Sequence, residues 1–443
     1  MIAPTRRLCV LALVPLVPTF ALFVQPAFWP VVVLADFLIV AVAAADLASI
    51  PRQRAISIRR ELQPIATRGA LHPVTLRVNN ESTRGIELSL VDDRPASIEI
   101  PAPLAAVFVP ASGCCRVTSE VLPTERGRAY FEWVFTRCQS RLRLWTAVWR
   151  FSVPGELRVH PALKQIGRYA LYARANRMSL LGVRRARQLG GDNEFESLRE
   201  YTSDDQYRAI DWRATARLRK LTVRQFQANQ SQRIVFAVDC GRMMVNRTEG
   251  ETLFDAALDA ALTLSHVALT QRDMAGLLCY DETVCRWLPP RGGRRHLNRM
   301  IVATHDVPVR LVESRIDLAL NHLRGHCRQR TLFVIFTNVI DDRNAERIRS
   351  HLKAVVGRHL PLVVLLRDSA LMAAVEPGVR RESPGDGPVH QARAGAAAEI
   401  LLWRRQVLQS LEADGILTLD VHPKQLTPSL INEYLAIKAR HQL

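Results

Sequence analysis

Residues 234–239 read IVFAVD, an unbroken apolar run closed by an aspartate. A strand buried on both faces reads this way, because helices cover both sides of a parallel sheet. Residues 331–336 (TLFVIF) and 360–366 (LPLVVLL) repeat the pattern, and 275–280 and 416–421 read as further strands. Helical spacing lies between them. In 252–269, Leu253, Ala257, Ala260, Leu264 and Val267 share one stripe. Residues 297–302, 316–323, 394–411 and 428–439 read as helices, and 369–392, with several Gly and Pro, as a loop. Strands alternating with helices predict an α/β domain over 234–443, with a doubly wound, mostly parallel sheet. Ligands of such sheets sit at the carboxyl ends of the strands.

Upstream the period changes to two. Residues 72–79 (HPVTLRVN), 86–91 (IELSLV) and 96–100 (ASIEI) alternate apolar and polar positions. Residues 128–135, 142–151 and 156–160 follow, with Pro, Gly and Ser in the gaps. Short strands at this spacing predict an all-β, immunoglobulin-like sandwich over 55–161. It holds no convergent Ser/His/Asp set, which favours a spacer or interaction module.

Two apolar segments come first. Residues 8–24 carry no charge, and 27–50 carry only Asp36 and Asp46. A bilayer core takes about 20 apolar residues, so both are long enough to cross. Arg6 and Arg7 precede the first, Arg52, Arg54, Arg59 and Arg60 follow the second, and the link around Gln25-Pro26 is uncharged. Basic outer flanks predict a two-helix transmembrane hairpin over 1–54, with both termini and the soluble domains in the cytoplasm. A cleaved signal peptide is the rival reading, but the second segment would still hold the cleaved chain. Asp36 marks either an intramembrane site or a residue paired within an oligomer.

Composition narrows the chemistry. The 443 residues are 48% hydrophobic and 23% charged, which excludes wholesale disorder. The eight cysteines contain no CxxC pair, so a zinc ribbon or a thioredoxin-type site is disfavoured and the thiols read as reduced. No GxxxxGK[ST] or GxSxG frame appears, and His266, His305 and His326 are scattered. No nucleophile–base pair stands out, and no metal or other cofactor is expected. The net charge of +18 suits nucleic acid, an anionic membrane face or an acidic protein. Nucleic acid is disfavoured, since no stacking pattern or groove motif accompanies the arginines.

Residues 162–233 hold the densest signal. From Lys164 to Arg233 the net charge is +8, with acids and bases interleaved and Phe195, Tyr201, Trp212 and Phe226 as apolar anchors. Asp211-Trp212-Arg213 reads as the start of a short helix or turn leading into a strand. Glu194, Arg199, Asp205, Arg208, Asp211 and Arg213 form either a charge network ordering two domains or, with Phe195 and Trp212, a partner-binding surface.

The run from Asn193 to Tyr201, with Asp204-Asp205, Arg208, Ile210-Asp211-Trp212, Ala216-Arg217 and Val223-Arg224, resembles the signature of the domain of unknown function 58 family. The resemblance implies a bacterial protein with a von Willebrand factor A-like domain, usually found beside MoxR-type AAA+ ATPases. Such a domain normally carries a metal site opening with Asp-x-Ser-x-Ser. Asp239 matches the first Asp, but Gly241 and Met243 stand at the Ser positions and Asn338 at the later Asp; Glu313-Ser314-Arg315 offers no Thr. Asp341 and Asp342 are the substitute ligands on offer, though acids there suit a helix start. Mg²⁺ takes oxygen ligands, so a functional metal site is not expected. The chain is therefore expected to be a membrane-anchored, non-enzymatic interaction module serving a MoxR-type ATPase in assembly or maturation of other proteins. A metal-dependent scaffold with a rebuilt site at Asp239 is the alternative, and a hydrolase using the acidic signature residues a further one.

Overall fold

The computed structural model describes residues 1–14, 29–101, 106–162, 194–202, 207, 210–227, 231–248, 250–338, 342–367, 387–440 and 442. They fall into two units, Met1–Ala162 and Leu163–Leu443.

In the first unit, β1 (Ile2–Pro4) leads into α1 (Arg6–Leu13). The rest of the first apolar segment lies outside the described residues. Two described helices are long and apolar enough to cross a membrane: α2 (Trp29–Leu47), 11% buried, and Leu253–Thr270, 83% buried and thus a core helix. The α2 surface is apolar all round, with Val31, Val33, Leu34, Phe37, Leu38 and Val40 exposed. A helix of that kind belongs in a core or in lipid.

Asp46 ties the end of α2 to the sandwich. The carboxylate is buried and accepts from Ser140 Oγ at 2.6 Å, Leu142 N at 2.8 Å and Leu144 N at 3.1 Å. Trp145 Nε1 adds a bond to the Ala43 carbonyl at 2.8 Å. Asp46→Ala would strand two backbone N–H groups, each costing about 1–3 kcal/mol when buried. The expected loss is about 2–6 kcal/mol, read as a lower thermal midpoint in detergent. An unchanged midpoint would mean that water replaces the carboxylate.

The remaining strands are β2 (Ile56–Leu62), β3 (Ile65–Thr67), β4 (His72–Asn80), β5 (Ile86–Asp92), β6 (Ile98–Glu99), β7 (Ala106–Val109), β8 (Gly113–Pro123), β9 (Gly127–Gln139) and β10 (Trp145–His160). One sheet runs β1-β10-β9-β5-β7, with β3 also on β10; the other runs β2-β4-β8-β6. Ile58, Leu76 and Val78 of one meet Leu88, Leu90 and Val134 of the other in a shared core. The segments read as strands at 142–151 and 156–160 are one strand. Pro154-Gly155 makes a bulge between Ser152 and Gly155 instead of a break, and a Cβ at 155 would stand 2.8 Å from Leu62 Cδ2. The strand read at 96–100 shrinks to two residues. Arg60 and Asp92 form a buried ion pair beside Phe131.

In the second unit, β11 (Glu194–Glu200) pairs antiparallel with β12 (Thr222–Gln227), and α3 (Trp212–Leu218) lies in their connection. Then follow β13 (Arg233–Asp239), the short hairpin β14 (Arg247–Thr248) and β15 (Glu251–Thr252), α4 (Leu253–Thr270), β16 (Met274–Tyr280), β17 (Val284–Arg291), α5 (Arg294–Thr304), α6 (Ile316–His326), β18 (Leu332–Thr337), α7 (Asp342–Lys353), β19 (Leu360–Leu366), α8 (Gly387–Ala413), β20 (Leu417–Val421) and α9 (Pro423–Ala439). The main sheet runs β17-β16-β13-β18-β19-β20. Its pairings are parallel except at the β17 edge. Helices α4, α5 and α9 pack on one face, and α6, α7 and α8 on the other.

Three boundaries differ from the sequence reading. Helix α8 starts at Gly387, inside the predicted loop, and residues 368–386 lie outside the described residues. Helix α9 starts at Pro423 instead of Pro428, because proline fits the first helical position and His422 caps it. Strand β17 went unread because Pro289-Pro290 looks like a breaker, yet an edge strand tolerates proline.

Candidate functional site

The carboxyl ends of β13 and β18 meet at a buried polar cluster. Asp239, 2% exposed, closes β13. Its carboxylate accepts from Gly241 N at 2.8 Å, from Thr337 Oγ1 at 2.8 Å and from the Ser314 hydroxyl. Gly241 makes room for that serine: a Cβ there would overlap the Ser314 hydroxyl and lie 2.7 Å from the Val312 carbonyl oxygen. A serine at 241 and the serine at 314 therefore exclude one another. The segment before α6 thus brings a hydroxyl to Asp239. Burial raises the Asp239 pKa; its hydrogen bonds oppose the shift, and nearby Asp281 adds to it. Burial also drives the Tyr280 hydroxyl well up, with Asp239 and Cys240 adding to it. At Asp281 burial is outweighed by the Thr283 backbone bond, the Cys285 and Thr283 side chains and Arg310, and the pKa falls.

Asn338 is buried, and its Oδ1 accepts from Arg404 Nη1 at 2.8 Å. Arg404, on α8, also donates to the Leu366 carbonyl at 2.9 Å and to Asp420 Oδ1 at 2.9 Å. One guanidinium thus joins the carboxyl ends of β18, β19 and β20. Beside Asp239 lies a cleft of about 30 Å³, bordered by Arg242, Tyr280, Ser314, Asn344 and Arg347. That volume holds a water or a small ion, not an organic substrate.

These residues do not fit a hard dication. The Asp239 oxygens already accept three hydrogen bonds, and the Asn338 oxygen is held by a cation. Gly241 brings no side-chain oxygen, and Met243 brings only a thioether. Among the described residues no group of three or more His, Cys, Asp or Glu is placed to hold a metal. Asp341 lies outside the described residues, and Asp342 is the first residue of α7. Calorimetric titration with Mg²⁺ or Mn²⁺ is expected to give no saturable isotherm at millimolar ion. A single-site isotherm abolished by Asp239→Ala would reverse that reading.

The signature residues form a second locus. Glu194, Phe195 and Arg199 lie on β11, with Phe195 opposite Phe226 and Arg199 opposite Val223. Asp205 and Arg208 lie outside the described residues. Asp211 caps α3: its Oδ1 accepts from Arg213 N at 3.0 Å and Ala214 N at 3.1 Å. Trp212 and Tyr207, 57% and 72% exposed, meet edge-on with ring centroids 5.8 Å apart. Trp212 therefore does not serve as a buried anchor; it stands in solvent beside exposed Arg213. Arg219 ends the helix in the left-handed region, φ 54°, and Lys220 pairs with Glu200 at 2.6 Å.

Sequence reasoning reached Glu313-Ser314-Arg315 but passed over Ser314 for want of a Thr, and it missed Thr337 and Arg404. Thr337 directly follows the TLFVIF run, which was a usable signal. Ser314 and Arg404 reach the cluster from remote segments, and no spacing marks them.

The family model described as "Protein of unknown function DUF58" matches residues 197–377. Uncharacterized proteins of Mycobacterium tuberculosis and Mycobacterium bovis are each 27% identical over 221 residues, 47% of this chain and 69% of theirs. Among solved structures, the native conformation of Escherichia coli alpha-2-macroglobulin aligns at 14% identity and a TM-score of 0.20, over 24% of this chain and 7% of that one. A PapD-like domain of human CEP192 aligns at 16% identity and a TM-score of 0.18, over 24% of this chain and 88% of that domain.

Proposed function

We propose that the chain is a membrane-anchored, non-enzymatic protein-interaction module, and that the Tyr207–Trp212–Arg213 surface receives its partner. The observation that carries this is the exposed aromatic pair formed by Trp212, the first residue of a capped helix, and Tyr207 before it. Trp, Tyr and Arg are the side chains that dominate binding energy at interfaces. The resemblance of the signature residues supports a MoxR-type AAA+ ATPase as the partner, acting with this chain in assembly or maturation of other proteins. The β17-β16-β13-β18-β19-β20 order, with only its edge strand antiparallel, supports the von Willebrand A-like reading. The anchor is α2, with the preceding apolar segment as a second span; the basic outer flanks favour cytoplasmic termini in the inner membrane.

The deciding experiment is capture of the tagged full chain from detergent-solubilised membranes, with and without ATP. A MoxR-type ATPase should co-purify. Its absence under both conditions would remove it as the partner. The anchor is tested separately: the chain should stay with membranes through carbonate extraction, and release into the supernatant would refute it.

A further inference from the structure

Within the first unit, a groove of about 820 Å³ opens where α2 ends. Ile56, Trp149 and Phe151 line it, and Ile2 of β1 and Leu47 of α2 flank it. Its rim is the tight turn Gln53–Ala55, which holds Arg52 and Arg54 exposed. That turn is fixed in place. Ala55 N donates to the Arg52 carbonyl at 2.9 Å, and Glu81 N to the Ala55 carbonyl at 2.8 Å. Gln53 Nε2 donates to the Arg150 carbonyl at 3.1 Å.

We propose that this groove binds the headgroup of an anionic phospholipid. Arg52 and Arg54 meet the phosphate, and the acyl chains run along the exposed apolar side of α2. The proposal rests on the reading of α2 as a membrane anchor. If α2 lies in the bilayer, the Leu47–Ile50 end of the helix falls at the headgroup level, where the groove opens. Two guanidiniums favour a phosphate with net negative charge over a zwitterionic headgroup. The apolar lining favours a ligand that brings hydrocarbon with its phosphate. The volume lies within the usual range of about 300–1,000 Å³ for small-molecule sites.

The test uses the purified full chain in neutral detergent, titrated with dioleoylphosphatidylglycerol, dioleoylphosphatidylcholine or inorganic phosphate. Bound lipid is counted by native mass spectrometry. Phosphatidylglycerol should bind saturably, and phosphatidylcholine at least ten-fold more weakly. Inorganic phosphate should not compete at the same concentration. The double variant Arg52→Gln/Arg54→Gln should lose at least five-fold in affinity for phosphatidylglycerol. Ile2→Glu, which places a carboxylate at the groove while keeping both arginines, should lose affinity as well. Wild-type affinity in the double variant, equal binding of phosphatidylcholine, or displacement by inorganic phosphate would each overturn the proposal. Carbonate extraction of the same membranes separates the two readings: release of the chain sinks the anchor, while the titration still decides whether the groove takes an anionic lipid.

Discussion

Asp239→Ala is expected to cost the second unit about 3 kcal/mol, a large share of a typical domain stability of about 5–15 kcal/mol. The carboxylate accepts from a backbone N–H and two hydroxyls. Removing it leaves the Gly241 N–H buried without its acceptor, and the two hydroxyls must find others. Urea unfolding of the purified protein, followed by far-ultraviolet circular dichroism, measures the loss. A change below about 1 kcal/mol would mean that the cluster repacks around a water. Asp239→Asn keeps an acceptor and should be milder, but it removes a titration. Burial raises the Asp239 pKa, so the folded state holds this proton more tightly than the unfolded chain, where a carboxyl ionises near about 3.9. The contribution from this group is full below that value and is lost as pH rises through the folded-state pKa. The asparagine variant should therefore show a flatter decline of stability with pH above about 4 than the parent protein. Parallel stability–pH profiles for the two proteins would refute this. Asp281, whose pKa is lowered, acts in the opposite sense: its contribution is present above about 3.9 and fades as pH falls.

Trp212→Ala should weaken binding of the captured partner by at least about 30-fold, a loss of about 2 kcal/mol or more that marks an interface hot spot. The same variant should lose less than about 1 kcal/mol of stability, because the ring is mostly exposed and gives up chiefly its contact with Tyr207. Melting temperature and dissociation constant are read on one preparation. A stable variant that binds normally would take this surface out of the interface and leave the sheet's carboxyl edge around Asp239 as the better candidate.

The parallel strands were legible because a sheet covered on both faces admits only apolar side chains, and IVFAVD, TLFVIF and LPLVVLL declare that directly. Strand β8 was harder. Its exposed Cys114, Arg116, Thr118 and Glu120 do alternate with inward positions, but Ser119 takes a buried one and the strand begins at a glycine that reads as a turn. At the site, Asp239, Gly241 and Asn338 were legible as positions, but not as partners. Nothing around residue 314 announces that its hydroxyl fills the space a side chain at 241 would need. Nor does the helical pattern of α8 single out Arg404 as the cation that holds Asn338. Such contacts join segments far apart in the chain, and local periodicity carries no record of them. Trp212 was legible as a candidate for a partner-binding surface, but its exposure and its contact with Tyr207 were not.

The pairing of β1 with β10 sets Ile2 against Ala147 and Pro4 against Trp145. During synthesis the first of these strands leaves the ribosome well before the second exists. At about 5–20 residues per second, the roughly 145 residues between them take about 7–30 s. The apolar segments that follow β1 are complete by residue 50, long before their platform on β10 is. Helix α2 is therefore made before Ser140, Leu142 and Leu144 are available to Asp46. The first sheet thus closes at its β1 edge only after β10 has been made, with α2 already complete.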